Sequence, residues 1–200
     1  MSEPASDHYS PPQKWLHWLT ALFVVSLVTA GLIMTEIGDG QPKNILYELH
    51  KSLGLTVLGL TLVRIVVRVR RGAPPFVPGL PRWQRVAAHA SHYALYLLIV
   101  LVPLLGWTAT SVGFPPVNYF WTVPVTLPLP HDETLSERIF GAHKALAFTL
   151  VAVAGVHLSA ALFHHFIRRD RTLLRMWPGR GAISGRGQPN VAAPQDTRRA

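Results

Sequence analysis

The sequence predicts an all-α, integral-membrane four-helix bundle, and three observations carry that prediction. Long runs hold no charge: Trp15 to Met34, Val86 to Val112 and Ala145 to Ile167 have none, and Leu53 to Val69 has only Arg64 and Arg68. Runs of this length match a hydrocarbon core of roughly 30 Å. Charged residues make up 14% of the chain, against about 25% in a soluble domain. The basic residues are also one-sided. The stretch 64–85 has six arginines and no acid, and the chain from Arg168 onward has eight arginines against Asp170 and Asp196. The alternate segments lean acidic. The positive-inside rule assigns the arginine-rich side to the cytoplasm, so both termini are expected there, as four spans require.

Each element has its own signal. Residues 1–13 form a polar arm with no positive charge, so the first apolar run is not expected to be a cleavable signal peptide. Helix one is expected over about 14–35, with Trp15 and Trp18 suited to the interface. Helix two spans about 46–70 and is broken by Gly72 and the Pro-rich stretch Ala73 to Pro81. Helix three spans about 84–110 and carries Pro103, which should kink it. Helix four spans about 136–168, long enough to tilt or to project from the bilayer. Between the last two, Phe114 to Pro130 is apolar, aromatic and too broken by proline to span. It reads as an interfacial cap on the external face or as a lid over a hydrophobic ligand. The single transmembrane domain is thus 14–178, and residues 179–200, rich in Gly, Ala, Pro and Arg, are expected to be disordered.

Composition excludes several chemistries. The chain has no cysteine, so disulfides, covalently attached c-type haem and thiolate-ligated clusters are ruled out. The net charge of +9 follows from topology, because the arginines abut membrane spans. It gives no reason to expect nucleic acid as a partner.

Histidine carries the functional signal. An ionisable group at membrane depth is a functional candidate by default. His17 opens the first apolar run and His50 the second, while His143 and His157 share the fourth. Fourteen residues separate the last two, roughly 21 Å along a helix axis and within about 40° of one face. With cytoplasmic termini, His17 and His157 lie at one depth, towards the cytoplasm, and His50 and His143 at another, towards the outside. Each pair can sandwich a haem iron, and six-coordinate iron has no open site for O₂, so it suits electron transfer. Gly54, Gly59, Ala147 and Gly155 are expected to make room for the porphyrins. Arg64 and Arg68, at i and i+4, can snorkel to the surface or meet a haem propionate. His89 and His92 rival His17 as ligands; outer-shell or quinone-site roles are preferred for them. His164 and His165 face headgroups or a propionate, and His8 and His131 are expected to be solvated. Lys51 and Lys144 follow the two external ligands, either as interfacial anchors or as a patch that draws in a small anion.

These stretches resemble the bacterial cytochrome b561 family of four-helix, di-haem inner-membrane proteins. The resemblance rests on KWLHWLTA, ELHKSLGLTVLGLTLVRIVVR, RVAAHASHYALYLLIVLVPLLGW and GAHKALAFTLVAVAGVHLSAALFHHFIRRDRTLLRMWP, and it covers roughly 14–178. It implies two non-covalent b haems held by His17, His50, His143 and His157, and electron exchange with ubiquinone. Some members act as superoxide oxidases, passing electrons from external superoxide to quinone. Others are similar to the cytochrome b subunits that serve a partner dehydrogenase. The expectation is therefore a superoxide:ubiquinone oxidoreductase, with a membrane electron carrier for a redox partner protein as the alternative. A histidine-based metal transporter or non-haem di-iron enzyme is disfavoured, because no acid lies within the apolar runs and di-iron sites want carboxylates.

Overall fold

The computed structural model describes residues 8–178. The expected disorder of 179–200 and most of the polar arm lie outside the described residues. Four long helices dominate: α1 (Pro11–Glu36), α2 (Gln41–Arg71), α3 (Arg82–Val112) and α4 (Glu133–Phe163). A two-stranded antiparallel hairpin, β1 (Val117–Tyr119) and β2 (Val123–Val125), lies between α3 and α4. A π-helical turn, His164–Arg168, extends α4 and ends at Arg169 in the left-handed region, φ 54°. All four helices are long and apolar enough to cross a bilayer.

Local chemistry sets the ends. Proline occupies the first turn of α1, where no N–H is needed. The Ser10 N–H donates to Gln13 Oε1 at 3.0 Å, and Gln13 Nε2 donates to the Gly72 carbonyl at 2.8 Å. This ties the start of α1 to the end of α2. Residues 11–13 thus belong to the helix and not to a solvated arm, and Gln13 and Lys14 are buried. Gly72 closes α2 at φ 69°, a conformation that only glycine adopts without strain. Asp132 caps α4 by accepting from the Leu135 N–H at 2.9 Å.

The helices pack in chain order, α1 on α2, α2 on α3 and α3 on α4. The central core is aliphatic: Val57, Leu98, Ile99 and Leu150, with Phe23, Val24 and Leu27 of α1 against them. Large apolar residues such as Val25, Val66, Phe148 and Leu158 point outward, as lipid-facing positions must. The α3–α4 corner is tight. Ser136 Oγ donates to the Ala109 carbonyl at 2.7 Å, and a Cβ on Gly113 would sit 2.7 Å from Ser136 Cβ.

The two ends of the bundle differ. At one end Trp18 Nε1 donates to the Met176 carbonyl at 2.9 Å and Arg168 to Gln84 Oε1 at 2.8 Å, gathering both chain ends and the α2–α3 connection. At the other end the hairpin is pinned to α2. Ser52 Oγ accepts from the Phe120 N–H at 2.9 Å, and Thr56 Oγ1 lies 3.0 Å from the Tyr119 hydroxyl. The stretch 114–130, expected as an interfacial cap or a lid, contains a short antiparallel hairpin. Side chains of α3 hold it as well: Trp107 Nε1 donates to the Val125 carbonyl at 3.1 Å, and Ser111 Oγ accepts from the Leu127 N–H at 3.0 Å.

Candidate haem sites

Four imidazoles face each other in two pairs, at opposite ends of the bundle. His50 of α2 and His143 of α4 have ring centroids 6.2 Å apart with planes at 76°. His17 of α1 and His157 of α4 are 6.4 Å apart with planes at 74°. Two imidazoles on opposite sides of one iron hold their centroids about 6.2 Å apart, given metal–nitrogen bonds of about 2.0 Å and about 1.1 Å from nitrogen to ring centre. Both pairs match that spacing.

The upper pair, at the hairpin end, is held by its surroundings. His143 Nδ1 lies 2.8 Å from the Val102 carbonyl. A carbonyl only accepts, so Nδ1 carries the proton and Nε2 is left with its lone pair for a metal. The His143 ring lies against Gly106, where a Cβ would come within 3.1 Å of Cε1 and Nδ1. His50 repeats the arrangement on α1: its ring lies against Gly31, with a built Cβ 3.3 Å from Cε1. Phe140 stacks nearly parallel to His143, at 5.9 Å and 6°. Gly31 and Gly106 were not singled out in the sequence. Their one sequence signal is an isolated glycine in a charge-free run; the ring that rests on each comes from another helix. The glycines that were singled out behave differently. Of the small residues expected to make room for porphyrins, Gly54 and Ala147 line the pocket beside this pair, and a Cβ on Gly54, Gly59 or Gly155 would meet nothing within 4 Å.

Beside this pair is a cavity of about 370 Å³. Its walls are apolar residues of all four helices, including Val57, Ile99 and Leu150, and its rim carries Glu36 and Lys144. An apolar slot with two opposed imidazoles suits a porphyrin.

The lower pair has a polar fringe. Arg64 donates from Nη2 to His17 Nδ1 at 2.9 Å, which leaves the proton on Nε2, so His17 offers Nε2 to a metal only once Arg64 releases Nδ1; the guanidinium also lies 5.1 Å from the Tyr96 ring centroid. Among the described residues no carboxylate pairs with Arg64. Arg68 instead reaches the end of α2, donating to the Gly72 carbonyl at 3.4 Å and lying over Tyr9. Snorkelling thus describes Arg68, while Arg64 turns inward. His92 sits 5.2 Å from His157, closer than two ligands of one iron, so it borders the pair. His89 faces outward between Phe76 and Tyr93 and does not join the cluster.

Other predicted residues divide. Lys51 is not a free cation: it pairs with Glu48, donates to the Pro116 carbonyl at 3.1 Å and is only 12% exposed. The hairpin's carbonyls draw it away from the pocket. Lys144 is exposed on the pocket rim. His131 is exposed beside Glu133, whereas His8 is half-buried. His164 Nδ1 lies 2.5 Å from Asp170 Oδ2, and the Thr172 N–H donates to Asp170 Oδ1 at 2.9 Å. Burial raises the Asp170 carboxyl, but the bonds from His164 and Thr172 outweigh it and hold it below the usual carboxylate range. His165 meets Phe166 edge-on. No group of three or more His, Cys, Asp or Glu residues able to hold a metal directly occurs among the described residues.

Comparison with known proteins identifies the family. The profile of the prokaryotic cytochrome b561 family matches residues 8–179. The chain is 32% identical to cytochrome b561 homolog 1 of Escherichia coli K12, over 87% of this chain and 99% of that one. It is 30% identical to the probable superoxide oxidase CybB of Yersinia pestis, over 85% and 96%. Cytochrome b562 of Cereibacter sphaeroides is 34% identical over 84% and 94%. The chain therefore belongs to the prokaryotic cytochrome b561 family, helical membrane proteins that bind b-type haem and transfer electrons.

Proposed function

We propose that this protein holds two b haems, one between His50 and His143 and one between His17 and His157, and moves single electrons across the membrane to quinone. The carrying observation is the pair of facing imidazoles at each end of one bundle, both anchored on α4. When bound, each haem supplies a one-electron redox centre closed to O₂ by its two ligands. The chain's part is to fix the ligands and exclude water. The Val102 carbonyl sets the tautomer of His143. Arg64, which pairs with no carboxylate among the described residues, offers a half-buried cation to a propionate, and a charge at this depth is costly unless an anion meets it.

The arginine-rich end faces the cytoplasm by the positive-inside rule, in the inner membrane. The upper pocket then opens outward, and Lys144 on its rim is the cation available to attract a small anion. Superoxide is the donor that kinship with the Yersinia protein suggests. Two superoxide ions each give up one electron and become O₂, and one quinone takes both electrons and two protons to become quinol. A second reading, electron delivery by a partner protein, gains weight from the engagement of Lys51, which leaves a thinner positive patch. The test is spectral. His143→Ala should remove or perturb one haem and His157→Ala the other. A variant that perturbs neither haem overturns the pairing. Mixing with superoxide at varied salt separates the two readings of the donor.

A further inference from the structure

We propose that the upper pocket takes up and releases its haem sideways, from the bilayer, through a gap between α1 and α4. This rests on the reading that His50 and His143 hold a haem.

The other flanks of the pocket are closed. The hairpin is stitched to α2 through Glu48, Lys51, Ser52 and Thr56, and it covers the α2–α3 side. The α3–α4 corner is sealed by the bond from Ser136 to Ala109 and by the contact that forbids a Cβ at Gly113. A turn of only four residues joins α1 to α2, and those helices pack closely. Among the described residues, no comparable packing joins α1 to α4. The lower part of this seam is filled by Phe23, Val24 and Leu27 of α1, packed against the core cluster that includes Leu150 of α4. The cavity lining along this seam includes Leu32 of α1, above those residues, and Phe148 and Val151 of α4, level with them, and all three are also exposed on the outer surface. The wall at this seam is thus a pair of apolar lips.

The chemistry of the opening matches haem better than it matches a water-borne ion. Haem is a flat apolar ring with two carboxylates on one edge. The lips are apolar at bilayer depth, and Lys144 stands at the end of the gap nearer the water. A ring can slide between the lips with its carboxylates kept near the headgroups, and no polar group need cross hydrocarbon alone.

The chain has no cysteine of its own, so a bridge can be placed cleanly. The test uses the haem-loaded full chain in lipid nanodiscs, carrying Leu32→Cys and Phe148→Cys. One sample is bridged with a flexible bis-maleimide and the other is capped with N-ethylmaleimide. Haem transfer to excess apo-globin is followed in the Soret band. The bridged protein should lose haem about tenfold more slowly than the capped one, a barrier rise of about 1.4 kcal/mol. Equal rates overturn the proposal. A second variant, Lys51→Met with Ser52→Ala, loosens the hairpin flank. Release through α1 and α4 predicts no change in rate, and faster loss there places the exit under the hairpin and overturns the proposal. Absence of a bis-histidine haem spectrum before transfer is a separate result, and it removes the ligand assignment itself.

Discussion

Replacing Gly106 with alanine adds one methyl group against a ring that cannot give way when it is bound to metal. The built Cβ lies 3.1 Å from both Cε1 and Nδ1 of His143, where ordinary contact needs several tenths of an ångström more. In the haem-free protein the imidazole can rotate and escape. Bound to iron, it is fixed at Nε2 and held at Nδ1 by the Val102 carbonyl, 2.8 Å away. The penalty therefore falls mainly on the haem-bound state. Overpacking costs about 1–3 kcal/mol, with a single methyl at the lower end and Gly106→Val at the upper. That range is roughly a 5- to 150-fold loss of haem affinity. Haem titration of the purified variant reads the affinity, and a redox titration reads any change in ligand geometry at the same centre. Gly141→Ala is the control, since a Cβ there meets nothing within 4 Å. Two fully retained haems with unchanged spectra and potentials in Gly106→Val would refute the placement of the His143 ring as a ligand.

Other predictions are independent of that one. Arg64→Met removes a half-buried cation beside His17, and that loss favours the oxidised haem, so one of the two midpoint potentials should fall in a redox titration; Arg64→Lys should restore most of it. Lys51→Met should lower thermal stability by about 1.5–3 kcal/mol, the worth of hydrogen bonds from a charged group, and leave reduction by superoxide unchanged. Lys144→Gln should do the opposite, slowing reduction and flattening its salt dependence in stopped flow. Asp170→Asn should destabilise the C-terminal turn near neutral pH. Because the folded Asp170 carboxyl lies below its ordinary range, its contribution is complete above about pH 4 and fades as pH falls through the depressed value. Melting curves of the two proteins should converge on acidification, and a constant difference would contradict the role of the Asp170 clamp.

The spans and the two-level histidine pairs were legible because both depend on local periodicity. A charge-free run has one cheap solution in lipid, and fourteen residues on one helix determine a height and a face. Features made by distant pairing were not legible. Lys51 meets carbonyls 64 and 65 residues away, so its proximity to His50 in the chain misrepresents what it touches. The hairpin hid behind proline, and its turn places Phe120 and Trp121 at φ 45° and 58°, where asparagine or glycine is the usual signal. Gly31 and Gly106 matter only because the rings of other helices rest on them. His89 and His92, three residues apart, part company because one faces lipid and the other the bundle interior.

The central claim is two b haems on four histidines, and a haem count tests it most directly. Purified protein is assayed by pyridine haemochromogen against protein mass, alongside a dithionite-reduced minus oxidised spectrum. The account predicts two b haems per chain, both low-spin. One haem per chain, or none, would contradict it.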